Sequence, residues 1–250
     1  TINKIIQYTK TTFLTPPFAI LNFVRGQKQD LHEAMIVKAA KTLLGKKYDS
    51  TEAKKYLQEI RSGEFIPMNT LPGVTLPGNK PVHLFGKFLY FIIRCAKPQV
   101  MIETGVAHGV SSWTILNAIH KNGSGKLYSI DLPNLDLKSY NPQNISQQSG
   151  WAVPDILRKH WELQLGPSNE LLPVLVQKLG KVDIFFHDSD HSYQNMMFEF
   201  KAIFPALKDD GLIISDDVHK NESFRDFVNA EQIVGIQFLT KGGAAVKRTS

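Results

Sequence analysis

Two short apolar runs that stop abruptly on carboxylates constrain this chain more than any other feature. Residues 182–191 read VDIFFHDSDH and residues 211–218 read GLIISDDV. Four or more successive Val, Ile, Leu or Phe residues without polar alternation describe a strand buried on both faces, as in a parallel sheet. Between the runs, Tyr193, Met196, Met197, Phe200, Ile203, Phe204 and Leu207 recur at helical spacing, which makes one apolar helix face. Strand, helix, strand is a right-handed βαβ unit with parallel strands. Neighbouring strands lie about 4.8 Å apart. Asp188 and Asp190 on one tip, and Asp216 and Asp217 on the other, are therefore expected to converge at the carboxyl edge, where open α/β sheets bind ligands.

The remainder of the chain agrees with such a sheet. From residue 82 onward, short buried runs alternate with amphipathic segments: helix 84–96, strand 100–104, turn 105–109, helix 110–120, strand 127–130, helix 153–160, strand 161–165 and helix 171–179. After the acidic βαβ unit come a helix near 222–229 and strands near 233–240 and 244–248. Gly242-Gly243 between those last strands predicts an antiparallel hairpin. The expected fold is α/β, a doubly wound, Rossmann-like sheet of seven strands ending in that hairpin. Residues 1–81 differ in texture. Helices at 31–47 and 51–62, followed by TLPG at 70–73 and again at 75–78, read as an N-terminal helical cap and stiff connector attached to a main domain at 82–250. Residues 133–150, rich in Asn, Gln, Ser and Pro, read as a long functional loop. With Tyr140, Trp151 and the cap, that loop supplies the elements expected to close over a substrate.

Composition narrows the class. The formal charge is +6, yet Lys and Arg never run longer than two, so there is no basic stripe for nucleic acid. Cys95 is the only cysteine. That excludes an internal disulfide, and its apolar surroundings suggest a buried, inert thiol. The longest apolar run, residues 88–93, is too short to span a bilayer. The N-terminal residues show no basic segment followed by an apolar core. A soluble, cytoplasmic protein acting without membrane or nucleic acid is expected, with the apolar stretch 13–23 as a dimer surface if the chain is a homo-oligomer.

The turn between the first buried strand and its helix reads ETGVAHGVS over residues 103–111. Gly105 and Gly109 let main chain approach a ligand closely, and the helix N-terminus offers free N–H groups. Asp131 ends the next strand, 22 residues beyond Gly109, where a carboxylate accepts both hydroxyls of a ribose. The third glycine that seats a dinucleotide pyrophosphate is missing, which counts against an NAD(P)-dependent oxidoreductase.

ETGVAHGVS, SIDLP, FFHDSDHSY and LIISDDV together resemble class I S-adenosylmethionine-dependent methyltransferases, within them the metal-dependent O-methyltransferase group and the related branch known as methyltransferase domain 24. The resemblance covers residues 82–248. It implies a cofactor site of Glu103, Gly105, Gly109 and Ser111 around the methionine part, Asp131 on the ribose, Ser168 at the adenine, and Asp188 where cofactor and acceptor meet. It also implies metal ligands at Asp188, Asp216 and Asp217. Their hard oxygens suit Mg²⁺, which lowers the pKa of an acceptor hydroxyl and relieves carboxylate crowding. Catechol-type enzymes carry a lysine base where this chain has His191, and sugar-modifying relatives carry an Asp base where it has Asp190. Histidine needs little tuning to act as a base at neutral pH, so His191 is preferred, although Asp190 and His191 also stand where the next helix needs an N-cap. His187, still on the strand, reads as a packed histidine. The expected function is Mg²⁺-dependent O-methylation of a small hydroxylated metabolite, natural-product or sugar-like. The rivals are an NAD(P)-dependent oxidoreductase and a cofactor-binding protein without catalysis.

Overall fold

The buried runs form the middle of one sheet. The computed structural model describes residues 19–21, 29–70, 84–132, 148–238 and 241–248. Its strands are β1 (Ala19–Leu21), β2 (Val100–Thr104), β3 (Lys126–Asp131), β4 (Trp161–Leu165), β5 (Val182–His187), β6 (Leu207–Ser215), β7 (Val234–Phe238) and β8 (Gly242–Val246), ordered β1-β7-β8-β6-β5-β2-β3-β4. All pairings are parallel except those of β8, which runs antiparallel to β6 and β7. The seven strands from β2 to β8 are the expected doubly wound sheet with its terminal hairpin. β1 adds an eighth beside β7, too short to leave any periodicity in the sequence. Among the described residues no helix is long and apolar enough to cross a membrane.

Successive side chains on a strand point to opposite faces, and the two faces carry separate cores. Met101, Ile184, Phe186, Leu212 and Ile214 pack with helices α1 (Gln29–Leu44), α2 (Ser50–Ser62), α3 (Leu84–Ala96) and α4 (Val110–Asn122). Ile102, Phe185 and Ile213 pack with α6 (Ser168–Leu179), α7 (Tyr193–Ile203) and α8 (Ser223–Ala230). The short α5 (Asp155–Arg158) precedes β4. Asp49 caps α2 by accepting from the amides of Thr51 and Glu52, and Gly63 ends it at φ 68°, as the sequence indicates.

Helices α1 and α2 belong to the same apolar cluster as α3 and the sheet. The Arg94 guanidinium, almost fully buried, grips Glu59 of α2 through two 2.9 Å bonds, and Tyr90 donates to the same carboxylate at 2.6 Å.

Three expectations need correction. Gly242 and Gly243 lie within β8 and do not form its turn. A Cβ on Gly243 would stand 2.7 Å from Phe224 and 2.9 Å from Val218, so packing under α8 explains that glycine. β6 begins at Leu207, four residues before the apolar run, because polar Lys208–Asp210 continue the strand past a register shift opposite Val182 and Ile184. The apolar face that follows residue 191 leaves the helix at Ile203 and ends in a 3-10 turn, Phe204–Ala206. The connector at 71–78, most of the loop at 133–150 including Tyr140, and most of the 13–23 stretch fall outside the described residues.

Candidate active site

Register alignment brings the strand tips to one edge. Thr104 pairs with both Ile130 and His187, and His187 pairs with Ser215. The ladder continues past the strand ends: Gly105 N–H donates to the Ile130 carbonyl at 2.9 Å, Asp188 N–H to Thr104 at 2.8 Å and Asp216 N–H to His187 at 3.0 Å. The glycine turn and the acidic corner therefore touch. Gly105 sits at φ 84°, and a Cβ there would lie 2.0 Å from the Asp188 carbonyl oxygen. No other residue type fits beneath that main chain.

Around the turn, Asp131 ties rather than dangles. It is nearly buried, and its Oδ1 accepts from the Val106 amide at 2.9 Å and the Ala107 amide at 3.4 Å. Ser149 donates to its Oδ2. Residues 148–153 lie over the turn: Gly150 N–H donates to Ala107 and Ala152 N–H to His108, while a Cβ on Gly109 would stand 2.8 Å from Gly150. Trp151 beneath this segment is 2% exposed and meets His108 edge-on. Asn69, from the N-terminal part of the chain, holds the same segment through the carbonyls of Trp151, Ala152 and Val153.

Glu103 is fully buried and does not reach an open surface. Its carboxylate accepts from Ser111, Ser112 and Ser129 at 2.6–2.7 Å, which locks β2, α4 and β3 together. Burial pushes its pKa up to about 7 against those hydrogen bonds. Ser168, first residue of α6, faces α7, with its Oγ 3.5 Å from Asn195 Oδ1. Leu132 and Leu165, at and beyond the tips of β3 and β4, are exposed and offer apolar surface beside Asp131.

At the acidic corner, Asp188 is held well above the usual carboxylate range by burial, then by the charges of Asp216, Glu103 and Asp217. His191 Nε2 lies 3.8 Å from Asp188 Oδ1 and has no hydrogen-bond partner. Burial, followed by His187 and Lys220, lowers His191 to about 4. Asp190 is exposed and turned onto the helix start, accepting from the Ser192 amide at 3.2 Å and hydroxyl at 2.6 Å. Ser192 itself caps α7.

The sequence does not signal the knot beneath this corner. Glu199 on α7 is fully buried and accepts from Thr104 at 2.6 Å and Ser189 at 2.8 Å. His187 Nδ1 stands 2.7 Å from the same carboxylate, which assigns the proton to Nδ1. Burial pushes Glu199 up, but His187 and the hydroxyl donors outweigh it and hold it low. A helical Glu six residues past Tyr193 looks like any solvated charge until α7 is laid against β2 and β5.

The three expected metal ligands do not make a cation cage. Both oxygens of Asp217 face ammonium groups, Lys220 Nζ at 2.6 Å and Lys241 Nζ at 3.1 Å. Burial pushes Asp217 up, and those two lysines more than offset it. Among the described residues no group of three His, Cys, Asp or Glu side chains is arranged to hold a metal. The donor set in this arrangement does not fit a resident Mg²⁺, which wants near-octahedral oxygen ligands at about 2.1 Å.

Residues 102–218 match the sequence profile of a family described as "Methyltransferase domain". Among solved structures, the O-methyltransferase TomG from Streptomyces achromogenes, involved in tomaymycin synthesis and in complex with SAM, superposes with a TM-score of 0.51 at 16% identity, covering 89% of this chain and 100% of that one. A methyltransferase from Geobacter sulfurreducens superposes with a TM-score of 0.50 at 17% identity, covering 86% and 96%. A sequence comparison with curated proteins finds no match. The expected methyltransferase fold and family resemblance are both borne out, and the matched residues run from β2 through the glycine turn to the acid pair.

Proposed function

We propose that this methyltransferase domain uses S-adenosylmethionine to methylate a hydroxyl of a small molecule. The observation that carries the reading is the contact between Gly105 and the main chain of Asp188. It sets the glycine turn beside the acidic corner, which supports reading the first as the cofactor side and the second as the acceptor side. The residues suit an adenosine. Asp131 offers a carboxylate for ribose hydroxyls, which would replace Ser149, and the exposed Leu132 and Leu165 offer apolar surface for a base beside it. Gly105, Ala107 and Gly109, all at positive φ, bend the chain so that the N-terminus of α4 opens toward the ligand.

The bound cofactor supplies an electrophilic methyl group on a sulfonium. His191 is then the group we assign to receive the hydroxyl proton. Its Nε2 is unpartnered, and the imidazolium formed would lie 3.8 Å from Asp188. Asp190, engaged with Ser192, stabilises the helix start.

Isothermal titration with S-adenosylhomocysteine tests the reading. Wild type should bind, and Asp131→Ala should weaken binding at least about tenfold, or about 1.4 kcal/mol. Binding of NAD(P) in place of S-adenosylhomocysteine would overturn it in favour of an oxidoreductase.

A further inference from the structure

We propose that Lys220 and Lys241 bring to the acid corner the positive charge that a divalent cation would otherwise bring, so that the corner works without bound metal. This rests on that corner being the acceptor side of the methyltransferase proposed above.

Two ammonium groups carry the same formal charge as one divalent ion, and both are delivered by main chain. Lys220 lies in the turn after Asp217, its amide donating to the Asp217 carbonyl at 3.0 Å, so its side chain folds back on its own turn. Lys241 comes from a distant stretch. Its carbonyl accepts from the Val218 amide at 2.7 Å, which fixes the start of β8 beside the acid pair. Their Nζ atoms reach different oxygens of Asp217, at 2.6 and 3.1 Å, with His219 Nδ1 3.8 Å away on the Lys241 side. Asp217 Oδ1 has no hydrogen-bond partner, so a cation entering here displaces Lys220 from Oδ2 and competes with the Lys241 charge at Oδ1.

The substitution also shapes the acceptor. A metal with open positions can chelate two adjacent substrate oxygens, whereas an ammonium is a point charge that donates single hydrogen bonds. The acceptor is therefore a single hydroxyl met by charge, with no need for a vicinal diol.

Mn²⁺ binding, followed by electron paramagnetic resonance and calorimetry, tests this without an acceptor or cofactor. Wild type should bind no stoichiometric Mn²⁺. The double variant Lys220→Met/Lys241→Met exposes the bare carboxylates and should gain at least about tenfold in Mn²⁺ affinity, a gain that Asp217→Asn removes. Lys241→Met alone, at a side chain that is mostly exposed, should give a smaller gain and guards against misfolding of the double variant. Stoichiometric binding by wild type that Asp217→Asn abolishes, or folded lysine variants with no gain, would overturn the proposal. S-Adenosylhomocysteine binding, measured alongside, reports separately on the methyltransferase reading.

Discussion

His191 and Asp190 are neighbours with opposite surroundings. One has a buried, unpartnered Nε2, and the other is exposed and bonded to Ser192. Replacing the proton acceptor should cost about 10²–10⁴-fold in kcat. With any acceptor that wild type turns over, His191→Gln should show that loss while its affinity for S-adenosylhomocysteine stays within about twofold, less than 0.5 kcal/mol. Asp190→Asn should cost far less. Equal losses would reassign the base. Glu103 supplies a second residue-scale prediction. Its folded pKa of about 7 lies above the ordinary 4.5, so between those values the native state holds a proton that the unfolded state has released. Stability from this group is present below about pH 4.5 and is lost as pH rises through 7, by about 3 kcal/mol at roughly 1.4 kcal/mol per unit. Urea midpoints of wild type and Glu103→Gln should accordingly coincide near pH 4.5 and diverge in favour of Gln by pH 8. Parallel pH profiles would show that the three serine hydroxyls keep Glu103 ionised.

At the scale of elements, the glycine turn depends on β5 as much as on its own sequence. Gly105→Ala must place a Cβ 2.0 Å from the Asp188 carbonyl in a left-handed conformation. A shift of the acidic loop is unavoidable, at a cost of about 3 kcal/mol or more. Equilibrium unfolding should register that loss together with weakened S-adenosylhomocysteine binding; an unchanged midpoint would mean that the two tips do not touch. What the sequence discloses about these elements follows from how each is buried. β2 and β5, buried on both faces, are visible as unbroken apolar runs, and the clustering of Asp188, Asp216 and Asp217 follows from their lying at tips of neighbouring strands. Polar Lys208–Asp210 conceal the start of β6, and three residues cannot announce β1. The charges that answer the carboxylates are equally hidden. Lys241 follows Asp217 by 24 positions, and only the antiparallel β7–β8 hairpin returns it to the corner.

For the whole molecule, the N-terminal helices are structural partners of the sheet. Glu59 and Arg94 form a largely buried ion pair that also holds Tyr90 and stacks Arg94 over the Tyr56 ring at 4.2 Å. Glu59→Ala leaves a buried guanidinium without its carboxylate, and such losses run to about 3–5 kcal/mol. Chemical unfolding should show that drop in a single transition, with far-UV circular dichroism and tryptophan fluorescence coincident, because α1 to α4 and the sheet share one core. Two separated transitions would mean that residues 29–62 fold as an independent unit.

The pairing of β1 with β7 has a consequence for how the chain is made. Ala19 finds its partner at Ile236, and the Arg248 guanidinium donates to the Thr42 carbonyl at 2.8 Å. During synthesis the early segments leave the ribosome long before the strands that receive them. Closing a loop of that length costs about 5 kcal/mol of chain entropy, recovered only once the late hairpin exists. β1 therefore waits without its neighbouring strand until β7 is made, and the nascent chain is most exposed to misassociation just before its last strands emerge.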